Sequence, residues 1–395
     1  LQHWPGTDVL LLSAMCKIII DEKLYDEAFI AGRTEGFEAL AASCDSFDLD
    51  HAAAVTGVPL GQIREAAHLY ATSKPASILY AMGVTQHSHG TDNVRAVANL
   101  ALLTGNLGKP GAGVNPLRGQ NNVQGACDMG ALPDVFTGYQ KVSDETIRAK
   151  FETAWGVKLP QKTGLTISQI LNDIEKGTIK ALYIVGENIM RSDPDLTRVA
   201  KILGKLQLLV AQDIFHTETT AIANVVLASA SFAEKDGTFT NTERRVQRIR
   251  RAVEPVADCR PDWWITNELA KRLGGKGFEY TGPEQIFEEM RLVTPAYAGM
   301  TYSRLEKDGL QWPCPAEDHP GTPILHIEHF SCGRGVFQAV KYQPPAEQAD
   351  DNYPFILTTG RSPYHFHTGT MTRRVRGLSA LQPWETLEIA TPEAS

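Results

Sequence analysis

The stretch Asn115-Pro-Leu-Arg-Gly-Gln-Asn-Asn-Val-Gln-Gly-Ala-Cys-Asp-Met-Gly130 gathers hydrogen-bonding side chains around a single cation. Arg118 stands there with five amides, Asn115, Gln120, Asn121, Asn122 and Gln124. A guanidinium is a planar fork of donors, so it can hold a small carboxylate through two parallel charge-assisted hydrogen bonds. The segment is too polar and glycine-rich for a regular element, and long ordered loops of this content tend to be functional. The competing reading is a loop whose amides satisfy only its own backbone.

Two His-x-His pairs, His87 with His89 and His365 with His367, put imidazoles on alternate residues, which share one face of a strand. Neither pair has a third ligand nearby, so hydrogen bonds to phosphates or a polar cofactor, or a plain surface role, suit them better than a zinc ion. The run Arg244, Arg245, Arg248, Arg250 and Arg251 resembles an anion-binding stripe, but Glu234, Asp236 and Glu243 weaken its field. It reads as a solvated or subunit-facing surface, with contact to a cofactor's phosphates as the alternative. The six cysteines lie far apart without C-x-x-C spacing, so no metal cluster is expected within this chain and the thiols read as small buried hydrophobes. No G-x-G-x-x-G follows a strand, and neither a Walker loop nor a G-x-S-x-G elbow is present.

Elements that would position these residues can be read from periodicity. Ile63, Ala66, Ala67 and Tyr70 form the stripe of an amphipathic helix over residues 62–71. An apolar run from Ser77 to Met82 reads as a strand, followed by a loop at Gly83 and a helix that Thr91 caps and Gly105 ends. Downstream, Ala181 to Val185 reads as a strand, Pro194 to Leu203 as a helix and Leu206 to Ala211 as a second strand. That order is a βαβ unit with parallel strands covered by helices on both faces, hence an α/β fold with doubly wound lobes. Ligands in such lobes sit at the carboxyl ends of strands, here the loops Gly83 to Gln86, Gly186 to Asn188, and Gln212 to Asp213. Another strand is expected over Phe355 to Thr359, ending in Gly360 and Arg361, after a polar linker from Lys341 to Tyr353.

Composition bounds the partners. A chain of 395 residues should form two or more lobes. With 43% hydrophobic and 21% charged residues it is an ordinary globular sequence, and a net charge of -8 opposes a general nucleic-acid surface. The most apolar run, Val9 to Ile20, is broken by Ser13 and Lys17 and is too short to cross roughly 30 Å of hydrocarbon, so no membrane span is expected. The start at Leu1 and the end at Ser395 both read as cuts in a longer subunit.

The segment Asn115 to Gly130, with Met82-Gly-Val-Thr-Gln86 and Leu103-Thr-Gly-Asn-Leu-Gly-Lys-Pro110, closely resembles catalytic subunits of formate dehydrogenases in the molybdopterin oxidoreductase superfamily. The resemblance runs through Gln212-Asp-Ile-Phe215, Gly237-Thr-Phe-Thr-Asn-Thr-Glu-Arg-Arg245 and Gly360-Arg361 to His367-Thr-Gly-Thr-Met-Thr-Arg-Arg374. It implies a bis-molybdopterin guanine dinucleotide cofactor with Mo or W, and reversible two-electron oxidation of formate to CO2. It also implies a role for Arg118 in orienting formate, with Gln120 as a polar neighbour at the cofactor. Implied cofactor contacts are Gly6, Thr7, Asp8, Met82, Gln86, Gly186, Glu187, Asn188, Ser192, Gln212, Asp213, Asp262, Arg361, His365, Phe366 and His367. For Asp262, which precedes Trp263, Trp264 and a helix, an ordinary helix cap is the other reading.

The implied domains are residues 1–120 as part of one cofactor-binding α/β lobe and 121–345 as a second with connecting helices. Residues 350–395 would begin a β-barrel-like, dinucleotide-binding C-terminal domain. The family's cysteine motif for a 4Fe-4S cluster and its metal-ligating Cys or selenocysteine have no counterpart in these residues. This is therefore expected to be the central part of the subunit, unable to oxidise formate alone, cytoplasmic or else periplasmic, and working with iron-sulfur or other electron-transfer subunits. Alternatives of another class are a cofactor-carrying or structural subunit that lost the chemistry, and a related oxidoreductase such as a nitrate reductase.

Overall fold

The most apolar run of the sequence folds as a helix, α1 (Asp8–Asp21), whose residues Val9, Leu10, Leu11, Ala14, Ile18 and Ile19 are all buried. A helix apolar all round must be enclosed by other elements. The helices Phe37–Asp45 and Leu49–Thr56, α2 (Leu60–Thr72) and the longer helix at Gly90–Thr104 enclose it. A computed structural model describes residues 1–393. The chain divides into two compact units: residues 1–124, 240–245 and 320–358 form the first, and 125–239, 246–319 and the residues from Thr359 onward form the second.

In the first unit, α2 buries Ile63, Ala67 and Ala71 against α1, as the sequence stripe requires. Ile63 is fully buried, so truncating it to Ala would leave a cavity costing about 2–5 kcal/mol. The chain continues through β1 (Ser77–Tyr80), the single turn α3 (Met82–Thr85), α4 (Gly90–Thr104) and β2 (Gly113–Pro116). β1 and β2 pair in parallel, with Ser77 opposite Gly113 and Tyr80 opposite Pro116. The expected strand stops two residues short of Met82 because the backbone turns into α3. α4 starts at Gly90 after His89, one residue before Thr91, and ends at Gly105, whose φ of 63° suits glycine.

The polar stretch after β2 is more ordered than its composition suggests, since it contains the helix α5 (Val123–Asp128). A tertiary acceptor explains this. Asp128 is fully buried, and its Oδ2 accepts from the Tyr297 hydroxyl at 2.5 Å and the Trp312 indole N–H at 2.8 Å.

The second unit is organised around α6 (Ile167–Glu175), β3 (Ala181–Val185), α7 (Ile189–Ser192), α8 (Leu196–Leu203), β4 (Leu208–Asp213), α9 (Glu218–Ile222) and β5 (Val225–Ala228). The three strands are parallel in the order β3-β4-β5, with Ala181 opposite Leu208 and Val210 opposite Val225. Leu171 and Ile174 of α6 and Val199, Ile202 and Leu203 of α8 pack with Ile184 and Leu209. The expected βαβ unit is present, with its helix starting after Asp195 and its second strand shifted to Leu208–Asp213. β3 alternates, with Tyr183 and Val185 exposed, so helices cover it on one face rather than two among the described residues.

Further along, β6 (Gly237–Thr240), β7 (Arg245–Ile249) and β8 (Leu310–Gln311) form a small sheet with β7 central, and α10 (Asp262–Arg272) lies between β7 and β8 in the chain. A separate core of Val246, Phe287, Met290, Tyr297, Met300 and Leu305 supports this part. Phe355 to Thr359, expected as a strand, has no ladder partner among the described residues, and Phe355, Ile356 and Leu357 are exposed. An apolar run becomes a strand only when another strand satisfies its backbone. Beyond it lies the short helix α11 (Arg376–Leu381), and no barrel closes among the described residues. No helix among them is long and apolar enough to cross a membrane.

Candidate functional site

In the first unit the parallel pairing of β1 and β2 sends two loops out of the same end. The Leu117 N–H donates to the Tyr80 carbonyl oxygen at 2.7 Å, extending the ladder by one bond before the chain turns. Met82 and Gln86 follow β1, and Arg118 and Gln120 follow β2, so these four expected site residues are brought to one strand end. Arg118 is exposed, and its Nε donates to Oε1 of the buried Gln124 at 2.9 Å. Asn122, with a φ of 62°, accepts the Thr240 N–H at 2.9 Å. Asn122 thus holds backbone outside its own loop, at Thr240, and Gln124 orients the cation. Burial raises the Tyr80 hydroxyl, and the Arg118 charge opposes that shift.

The N-terminal candidates sit beside the His87 loop. Thr7 and Asp8 are buried, and the Thr7 hydroxyl lies 2.9 Å from His3 Nδ1. Asp8 stands between two imidazoles, 3.9 Å from Nε2 of His3 and 3.9 Å from Nε2 of His87. Gly6 has a φ of 77°, and a Cβ there would meet Cγ of Pro345 at 2.2 Å. His87 Nε2 also lies 2.8 Å from the Gly83 carbonyl oxygen. Among the described residues no group of three His, Cys, Asp or Glu side chains could hold a metal ion.

In the second unit the carboxyl ends of β3 and β4 are tied together by the Gly186 N–H, which donates to the Gln212 carbonyl oxygen at 2.8 Å. Gly186 needs its φ of 65° to make that turn. Asn188 is buried and fixes the loop: its Nδ2 donates to Glu218 at 2.8 Å, and its Oδ1 accepts the Thr219 hydroxyl at 2.8 Å. Hydrogen bonding by Asn188, then by the backbone and Arg191, holds the Glu218 carboxyl below the usual glutamate range. The Ser192 hydroxyl donates to Glu187 at 2.6 Å.

Gln212 is fully buried at the end of β4, with its Oε1 accepting from Tyr183 and its Nε2 donating to Asp262 Oδ1 at 2.7 Å. Asp262 is the first residue of α10, yet its oxygens go to Gln212 and Lys235 and not to the helix backbone. Burial raises its carboxyl, and the Lys235 ammonium with the Gln212 amide reverses that, leaving it below the usual aspartate range. Asp213 differs. Burial pushes its carboxyl up, the N–H groups of Ile214 and Phe215 pull it down without prevailing, and Glu187 adds to the rise.

The segment after Thr359 joins this strand end. Arg374 donates to the His216 carbonyl oxygen at 2.8 Å and lies 4.6 Å over the Phe215 ring, while Arg191 Nε donates to the Thr368 carbonyl oxygen at 3.2 Å. His365 is buried with Nδ1 3.2 Å from the Thr372 hydroxyl and Nε2 2.8 Å from the Gln382 carbonyl oxygen, so it organises its own segment. Arg361, Phe366 and His367 are exposed, the last with a φ of 54°.

The arginine run is largely matched by carboxylates, with Arg245 on Glu243 at 2.9 Å, Arg250 on Glu306 at 2.7 Å and Arg251 on Glu254 at 3.1 Å. Arg248 stacks 3.7 Å over the Tyr302 ring. Sequence reasoning missed Lys235, Thr219, Glu218 and Arg374, and it counted Gln124 only as one amide among five. No spacing signals the first four, whose partners lie far away in the chain.

Comparison with known proteins bears on this arrangement. Over 381 residues the chain is 54% identical to the F420-dependent formate dehydrogenase subunit alpha of Methanocaldococcus jannaschii, covering 96% of this chain and 56% of that protein. It is 44% identical over 382 residues to formate dehydrogenase H of Escherichia coli, covering 95% and 53% respectively. The chain therefore spans about half the length of these relatives. Among solved structures, acetylene hydratase from Pelobacter acetylenicus matches with a TM-score of 0.59 at 21% identity, over 78% of this chain and 44% of that one, a likeness of fold alone. The model of the family described as molybdopterin oxidoreductase matches residues 1–272, which include both strand-end clusters, and the chain belongs to that family.

Proposed function

We propose that this chain is the central part of a formate dehydrogenase catalytic subunit that carries bis-molybdopterin guanine dinucleotide with Mo or W and interconverts formate and CO2. The observation that carries this reading is the anchored cation: Arg118, at the end of a parallel strand pair, held through Nε by a buried amide. With Nε engaged, the guanidinium can turn its remaining N–H donors toward a one-carbon carboxylate, fixing its charge and orientation. Gln120 and Gln86 at the same strand end add neutral hydrogen-bonding groups.

The residues present suit the cofactor. Asp262 is an ionised acceptor for paired N–H donors of a guanine edge, and Gln212 beside it is a buried amide. The tight turn at Gly186, where a Cβ would meet nothing within 4 Å, leaves backbone rather than side chain at the surface a nucleotide would meet. In the first unit Gly6, Thr7, Asp8, Met82 and Gln86 would contact the group. In the second, Gly186, Glu187, Asn188, Ser192, Gln212, Asp213 and Asp262 would do so, with Arg361, His365, Phe366 and His367 of the later segment. When bound, the cofactor supplies the two-electron acceptor that oxidation of formate to CO2 and a proton requires. The named residues bind and orient. Partner subunits, which the subunit name of the Methanocaldococcus jannaschii relative suggests, would carry the electrons onward, and a 4Fe-4S cluster elsewhere in the full-length subunit belongs to the same proposal.

Elemental analysis of the full-length protein, paired with formate-dependent reduction of a dye, tests this. One Mo or W per chain with formate-dependent reduction is expected. Absence of both metals together with absence of dye reduction would reject the proposal.

A further inference from the structure

Lys235 has no role in the reading above, yet it meets the carboxylate on which the nucleotide contact depends. Its ammonium donates to Asp262 Oδ2 and, at 3.1 Å, to the Ala230 carbonyl oxygen. The turn that presents it is rigid. Ser231 and Glu234 form a reciprocal cap, with the Ser231 N–H on Glu234 Oε2 at 2.6 Å, and the second oxygen of Glu234 accepts the Val256 N–H at 2.8 Å. Asp262 is fixed from its own side, because the Ala230 N–H donates to the Arg260 carbonyl oxygen at 2.8 Å and the Arg260 N–H to the Ala228 carbonyl oxygen at 3.1 Å. The pair stays partly open, with side-chain exposures of 24% for Lys235 and 37% for Asp262.

We propose that Lys235 is a positioning residue for base selection, holding Asp262 as an ionised pure acceptor beside Gln212 so that the site takes a base edge offering two N–H donors. This rests on the preceding reading that Asp262 meets the cofactor's nucleotide. An ionised carboxylate can only accept, which forces Gln212 to aim its Nε2 at Asp262 and its Oε1 at the Tyr183 hydroxyl. A protonated Asp262 could donate, and would then suit an acceptor such as the ring nitrogen N1 of adenine or N3 of cytosine. Without its ammonium partner the half-buried carboxyl would drift toward that neutral form, since burial is the largest influence on it.

The test uses the full-length protein and reads nucleotide rather than turnover. Guanosine monophosphate released from the cofactor by acid hydrolysis is measured per chain, after dialysis at a series of pH values, for wild type, Lys235→Met and Lys235→Arg. The expected result is at least a fivefold loss of guanosine monophosphate in Lys235→Met at pH 7, a retention midpoint moved to higher pH, and recovery of both by Lys235→Arg. Wild-type content and midpoint in Lys235→Met would overturn the proposal, as would a loss independent of pH that Lys235→Arg does not rescue. If Lys235→Met does not accumulate, Lys235→Met/Asp262→Asn, which removes both charges, should restore soluble protein. Continued insolubility of the double variant, with Asp262→Asn alone soluble, would also overturn it. A wild-type protein with no guanosine monophosphate would sink the underlying reading, an outcome distinct from the others.

Discussion

Arg118 Nε donates to Gln124 Oε1 at 2.9 Å, so the exposed guanidinium is oriented by an amide that is itself buried. The bond spans six residues, from the strand-end loop to the first turn of α5, and it gives the surface cation a direction. Hydrogen bonds to charged groups contribute about 1.5–3 kcal/mol. Gln124→Leu in the full-length enzyme should therefore lower kcat/KM for formate roughly tenfold or more, while Gln124→Glu, which keeps an acceptor, should lose less. Steady-state kinetics on the two variants, at matched metal content, checks this.

Asp213 offers a pH signature. Burial holds its folded carboxyl above the usual aspartate range, so folding takes up a proton as pH rises through that range, and stability falls from there up to the folded value. Asp213→Asn keeps an oxygen for the Ile214 and Phe215 N–H groups and removes the buried charge. The variant should melt higher than wild type at pH 7, and the gain should vanish as pH drops below the ordinary aspartate range. Melting curves across pH 3–7, roughly the span between ionised and neutral carboxyl, read the difference directly.

Asn188 ties the β3 loop to α9 through Glu218 and Thr219. Asn188→Leu should destabilise the protein by about 1–3 kcal/mol, because Thr219 loses a buried acceptor. Denaturant unfolding measures this, and Asn188→Asp, which keeps the acceptor for Thr219 but sets a second carboxylate against Glu218, should be no milder at pH 7.

Gly6→Ala tests the N-terminal turn. With φ at 77° and Pro345 Cγ 2.2 Å from the new methyl, the turn must shift. A stability loss of about 1–3 kcal/mol is expected by thermal unfolding, with reduced cofactor content. Gly32→Ala, where a Cβ meets nothing within 4 Å, is the control.

Much of this architecture could be read from residue order. Ala181 to Val185 and the strand after it were visible because parallel strands are short apolar runs, and the helix between them has an apolar face that packs on Leu209. The strand-end rule then picked out Gly186 and Gln212 without any family. Phe355 to Thr359 failed for the same reason it was chosen: an apolar run says nothing about whether a ladder partner exists. α5 went unseen because Asp128 and its partners Tyr297 and Trp312 are more than 160 residues apart, which no local pattern encodes. Asp262 was open between cap and ligand contact. Its two oxygens, on Gln212 and Lys235, decide against the cap, and that too depends on contacts distant in sequence.

The most direct test is Arg118→Ala in the full-length enzyme, with formate kcat/KM and Mo or W per chain measured on one preparation. A fall of roughly 100-fold or more in kcat/KM with unchanged metal is predicted, because the residue holds the substrate and not the cofactor. Wild-type turnover, or a loss of metal in proportion to the loss of activity, would contradict it.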